Sequence, residues 1–86
     1  MKIKDGFVLK TVAGSRIIVP VSKPNFHSIM TLNETGAFLF EKLGEQTDID
    51  SLADLLVDTF EVDKKTAYDD VVLFLQSLDK AGLLDE

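Results

Sequence analysis

The chain has 86 residues, no cysteine, one histidine and a net charge of −6, with 45% hydrophobic residues. That length supports one domain with a modest core, and the apolar content is too high for a disordered segment. No disulfide framework and no thiolate metal site can be built, and no apolar run approaches the roughly 20 residues that span a bilayer.

The start, Met1-Lys2-Ile3-Lys4-Asp5, lacks the apolar stretch of a secretion signal, so a cytoplasmic protein is expected. Charge is divided along the chain. Residues 1 to 32 hold five Lys/Arg against one acid, a net of +4. Residues 33 to 86 hold four Lys against fourteen acids, a net of −10. A strongly acidic second half disfavours nucleic acid, whose affinity comes from neutralised phosphates, and an anionic membrane surface.

Phe7 to Val12 alternates β-branched and aromatic residues and reads as a strand. Ala13-Gly14-Ser15 is a turn, and Arg16 to Val21 a second strand, so the two form a hairpin. Pro20 cannot donate to a ladder and marks a strand end or an edge. After the loop Ser22 to Asn25, a third strand runs from Phe26 to Leu32. Ser28, Met30 and Leu32 share one face, and His27, Ile29 and Thr31 the other.

Asn33 is a good N-cap for a first helix from Glu34 to Leu43, ending at Gly44. Gly36 sits one turn in, where glycine weakens a helix, so it reads as permitting close approach to the third strand or to the last helix. Gly36, Leu39, Phe40 and Leu43 share a face, and Phe38 points away from it. A second helix follows Asp48 and runs to Phe60 with Ile49, Leu52, Ala53, Leu56 and Phe60 as its buried stripe. Asp50, Asp54 and Asp58 form its acidic rim. After the turn Glu61-Val62-Asp63, a third helix runs to Ala81, with Gly82 just beyond it. Ala67, Val71, Phe74, Leu78 and Ala81 form its core stripe. Tyr68, Val72 and Leu75 spill to one flank, which reads either as packing on another element or as the wall of a groove for an apolar partner. Leu73 stands alone on the opposite side.

Chemistry-bearing constellations are missing. His27 has no companion ligands, the Asp48-x-Asp50 pair lacks the rest of a calcium loop, and Ser15 and Ser28 have no evident base. Asp54 and Asp58 are a surface pair at helical spacing. Neither metal, cofactor nor catalytic activity is expected.

Three antiparallel strands followed by three helices, the last two joined by a tight turn, describe an α+β winged helix-turn-helix arrangement. Met1 to Val12, the junction Leu32-Asn33-x-x-Gly36-Ala37-Phe38-Leu39-Phe40, the turn Phe60-Glu61-Val62-Asp63 and the ending Phe74-Leu75-x-x-Leu78-x-x-Ala81-Gly82-Leu83-Leu84 together resemble the coenzyme PQQ synthesis protein D family. The match covers nearly the whole chain, 1–86, read as a single domain. The resemblance implies a small peptide chaperone, or precursor-peptide recognition element, without catalytic activity. Such a protein binds the leader of a ribosomally made peptide and presents it to a modifying enzyme, often a radical S-adenosylmethionine enzyme. It also implies that the leader adds as a strand beside the third strand and lies against helix 3. Carried onto this chain, the peptide-binding residues are His27, Ser28, Ile29, Met30, Thr31 and Leu32 on the strand, and Tyr68, Val72, Leu75 and Gln76 on the helix. An exposed strand edge could also pair two copies, so both monomer and dimer stay open.

Two other readings share the topology. A DNA-binding regulator would use helix 3 for recognition, but that helix carries Asp63, Asp69, Asp70 and Asp79 and no arginine. A protein-interaction domain that docks on an enzyme without a peptide is the other.

Overall fold

The computed structural model describes residues 1–21 and 30–85. Its elements run β1 (Lys2–Ile3), β2 (Phe7–Val12), β3 (Ser15–Pro20), β4 (Met30–Leu32), α1 (Glu34–Lys42), α2 (Ile49–Phe60), α3 (Lys64–Lys80) and β5 (Leu84–Asp85). Three antiparallel strands in the order β2-β3-β4, followed by three helices, make the expected α+β winged-helix arrangement.

The hairpin closes tightly. Val12 pairs with Ser15, and Ala13 and Gly14 both take positive φ, at 52° and 83°. Two left-handed central residues give a turn whose twist matches that of the flanking strands. Ser15 therefore belongs to β3 rather than to the turn. Pro20 ends β3 opposite Phe7, and the pairs of β3 with β4 among the described residues run from Arg16 to Ile18.

β4 pairs with β3 through Arg16–Leu32, Ile17–Thr31 and Ile18–Met30. Ile18 and Leu32 are buried and Met30 is half-buried, while Thr31 is exposed on the other face. The alternation expected for Met30 to Leu32 thus places its apolar members inward. The N-terminal part of the expected third strand, Phe26 to Ile29, lies outside the described residues.

β1 and β5 form a small second sheet that the sequence does not announce, with Lys2 opposite Asp85 and Ile3 opposite Leu84. Two-residue strands carry no periodicity, and these form because tertiary contacts hold them. The Ile3 N–H donates to the Leu43 carbonyl at 2.9 Å and the Lys4 N–H to the Leu83 carbonyl at 2.8 Å. Ile3, Leu83 and Leu84 are buried in the same core.

Each helix begins on a capping side chain. Asn33 accepts from the Gly36 N–H, Asp48 from Ser51 and Asp63 from Thr66, at 2.8, 2.8 and 2.7 Å. α3 ends as expected, with Gly82 at φ +76°. α1 ends differently. Gly44, which follows the cap Leu43, does not take a positive φ and so does not serve as a left-handed stop.

The core gathers Leu39, Phe40 and Leu43 from α1, Leu52, Ala53 and Leu56 from α2, and Ala67, Val71, Leu75 and Leu78 from α3. Phe38, off the main face of α1, packs edge-on against Phe60, with ring centroids 5.4 Å apart. On α3 the buried stripe is rotated from the one read from the sequence. Leu75 is buried at 6% exposure, Phe74 is only half-buried, and Ala81 is exposed beyond the helix end. Leu75 and Phe74 lie on either side of the Val71 direction, so periodicity alone could not choose between them. The position of α2 and of the β1–β5 pair decides it.

Candidate functional site

β4 is the last strand of its sheet, and among the described residues no strand pairs with its outer side. An edge strand with no strand partner on one side is the kind of arrangement that strand addition uses. Met30, Thr31 and Leu32 of the expected site lie on this strand. His27, Ser28 and Ile29 fall outside the described residues.

At Leu32 the strand meets the start of α1. A Cβ built on Gly36 would sit 3.4 Å from the Leu32 Cβ and 3.4 Å from Cε1 of Phe74. The glycine thus brings strand, α1 and α3 together, as expected from its position. Immediately beyond Leu32 the surface opens into a depression of about 200 Å³, lined by Asn33, Thr35, Gly36, Leu39, Asp70, Leu73 and Phe74.

The helix residues expected to receive a partner sit elsewhere on α3. Val72, Leu75 and Gln76 line a second depression, of about 190 Å³, whose other walls are Met1, Ile49, Asp79 and Leu84. No residue of β4 is among them. Val72 is half-buried and Gln76 exposed, Tyr68 is 40% exposed, and Leu75 is largely covered by the core. Phe74 and Val72 flank the buried Val71 on opposite sides. Phe74, rather than Val72, is the α3 residue shown against the Leu32–Gly36 junction. Sequence reading assigned Phe74 to the core and left Leu73 unexplained. The signal that could have found this wall was the pair itself, two large apolar residues, one of them far off the core stripe.

Cations near the helices are engaged by neighbouring acids. Lys64 bridges Asp54 and Asp50, which raises its pKa chiefly through the Asp54 hydrogen bond. Lys65 pairs with Asp69 at 2.9 Å, and Arg16 of β3 with Glu41 of α1 at 3.0 Å. Lys42 lies over the Phe38 ring, 5.3 Å from its centre. The Asp48 and Asp63 carboxyls are held below the usual carboxylate range, first of all by the backbone N–H groups of Ser51 and Thr66 that they cap. These are helix-capping shifts and mark no catalytic pair. Among the described residues no group of three or more His, Cys, Asp or Glu side chains could hold a metal ion, and no helix is long and apolar enough to cross a membrane.

A three-stranded antiparallel sheet followed by three helices, with the sheet edge β4 reaching α3 through the Leu32–Gly36 junction, defines a winged helix-turn-helix module. The family model for coenzyme PQQ synthesis protein D (PqqD) matches residues 8–84, and the chain belongs to that family. Two solved structures share the fold. One, described as lasso peptide synthetase B1 complexed with the leader peptide, superposes with a TM-score of 0.74 at 17% identity, over 95% of this chain and 93% of its own. The other, described as TbiB1 in complex with the TbiA(beta) leader peptide, gives 0.74 at 22% identity over 99% and 95%. A comparison with curated proteins finds no significant match.

Proposed function

We propose that this chain is a non-catalytic adaptor that binds the leader of a ribosomally synthesised precursor peptide and presents it to a modifying enzyme, such as a radical S-adenosylmethionine enzyme. The observation that carries the reading is the outer side of β4, unpaired among the described residues and adjoining α3 through Leu32, Gly36 and Phe74. Family membership and two neighbours described as bound to leader peptides support it.

In this reading the leader adds as a strand along His27 to Leu32. Backbone hydrogen bonds supply sequence-tolerant affinity and fix the register, and alternate side chains turn toward α3 for selectivity. Tyr68, Val72, Leu75 and Gln76 remain the helix contacts that the family resemblance implies. The adaptor needs no catalytic group, and the described residues offer no nucleophile paired with a base. DNA recognition through α3 is the weaker reading, because Lys64 and Lys65 are tied to acids on α2 and α3.

The test is chemical-shift mapping of the labelled protein with peptides from short reading frames adjacent to its gene. Shifts along Met30 to Leu32 and on α3 are expected, with micromolar or tighter affinity. Shifts confined to Asp50, Asp54 and Asp58 would remove strand addition and leave docking through α2. No binding by any such peptide, together with enzyme capture in their absence, would favour the interaction domain that needs no peptide.

A further inference from the structure

Leu73 is 62% exposed, the most exposed large apolar residue described. A single exposed leucine needs no explanation, but this one borders the depression just past β4 together with the half-buried Phe74 and with Leu39. The Leu73 carbonyl accepts from the Ser77 hydroxyl at 3.1 Å, one turn on.

Asp70 lies one turn before, at the spacing that places it beside Leu73 and Phe74 on the helix surface. It lines the same depression. The ion pairs among the described residues join Arg16 to Glu41, Lys64 to Asp50 and Asp54, and Lys65 to Asp69. Asp70 takes part in none of them. The remaining polar lining, Asn33 and Thr35, brings no cation. This is therefore an apolar wall with one carboxylate at its margin that no cation pairs among the described residues, set in a part of the chain whose net charge is −10.

We propose, resting on the leader-binding reading above, that this depression is the selectivity pocket of the site and that its occupant is a cationic-apolar segment of the leader. An aliphatic or aromatic side chain packs on Leu73 and Phe74, and a Lys or Arg side chain two residues away from it meets Asp70. Residues two apart point to the same side of an extended chain, so both reach α3 together. The complementarity is of charge and shape at once. The apolar anchor supplies most of the affinity, and Asp70 rejects leaders that carry an acid at that place.

The experiment selects a randomised peptide library, displayed on mRNA, against immobilised wild-type protein and against Asp70→Asn and Asp70→Lys. Wild-type binders should carry Lys or Arg at a fixed spacing of two from an apolar residue. That preference should vanish with Asp70→Asn and turn to Asp or Glu with Asp70→Lys. For one selected peptide, Asp70→Asn should weaken binding about twofold to fivefold, the range of an exposed pair, with the loss shrinking as salt is raised. Leu73→Ser should weaken it about tenfold. Val72→Ser, on the flank that the family resemblance implies, is measured beside it and should weaken binding less than Leu73→Ser does. Leu73 is exposed, so its variant should keep the fold, and thermal melting checks this.

Binders that perturb Met30 to Leu32 yet show no cation preference, or keep one with Asp70→Asn, overturn this inference and leave the adaptor reading standing. So does a larger loss with Val72→Ser than with Leu73→Ser, which moves the leader to the Tyr68–Val72–Gln76 flank. A selection in which no binder perturbs β4 removes both.

Discussion

Gly36 stands where β4, α1 and α3 converge. Its N–H is held by the Asn33 side chain, and a Cβ there would lie 3.2 Å from Asn33 Oδ1, in addition to its contacts with Leu32 and Phe74. Alanine would gain up to about 1 kcal/mol of helix propensity. The same Cβ would press on the capping oxygen, whose loss costs about 1 kcal/mol, so Gly36→Ala should be near neutral. The γ-methyls of valine have no such compensation, and Gly36→Val should destabilise by roughly 1–3 kcal/mol through overpacking. Thermal melting of both variants measures this. An unchanged or raised melting temperature for Gly36→Val would show that strand, α1 and α3 can part without cost. The role of this glycine was legible in the sequence because a glycine one turn into a capped helix has a short list of reasons to be there. The surroundings of Leu73 were not, because they depend on which neighbours the fold brings beside it.

The helices carry their start signals in the chain, and these signals respond to acid. Asp48 and Asp63 cap α2 and α3, and both carboxyls are held below their ordinary range by the capped N–H groups. A carboxyl whose folded pKa is depressed contributes stability above its unfolded value, near 4, and loses it as pH falls through the lower folded value. Melting temperature should therefore drop as pH is lowered from about 5 toward 3. The double variant Asp48→Asn, Asp63→Asn keeps two good caps without a titrating group, so its melting curve should depend less on pH over that window. Parallel pH dependence in the two proteins would mean that other carboxylates govern the acid limb. At the level of elements, α1, α2, α3 and the β2–β3 hairpin follow from caps, turn residues and hydrophobic period. β1 and β5 do not, since they are two residues each and owe their pairing to the contacts of Ile3, Leu83 and Leu84.

Across the whole molecule, charge is separated as the chain is. Strands β1 to β4 come from the basic part, and the three helices with β5 from the acidic part. The last helix of a winged-helix protein can serve as a DNA reader. Here α3 presents Asp69, Asp70 and Asp79, and two of its three lysines are committed to acids. Phosphate neutralisation would work against that field. No duplex should bind with submicromolar affinity at about 150 mM salt, and a fluorescence titration decides it. Tight binding of any duplex would overturn the assignment of α3 to peptide.

By itself the sequence determined the class of fold, the three helices with their caps, the hairpin, the glycine junction and the family. Each rests on local signals: side chains that cap their own backbone, turn residues that permit left-handed angles, and apolar residues at a helical or strand period. The tertiary structure alone decided which flank of α3 lies against the Leu32–Gly36 junction. On the helix, Leu75 and Phe74 lie to either side of Val71, and nothing in their spacing says which is covered. Packing of α2 and the β1–β5 pair buries Leu75 and leaves Phe74 at the Leu32–Gly36 junction. Rotation of a helix about its axis is set by what it packs against, which a one-dimensional pattern does not contain.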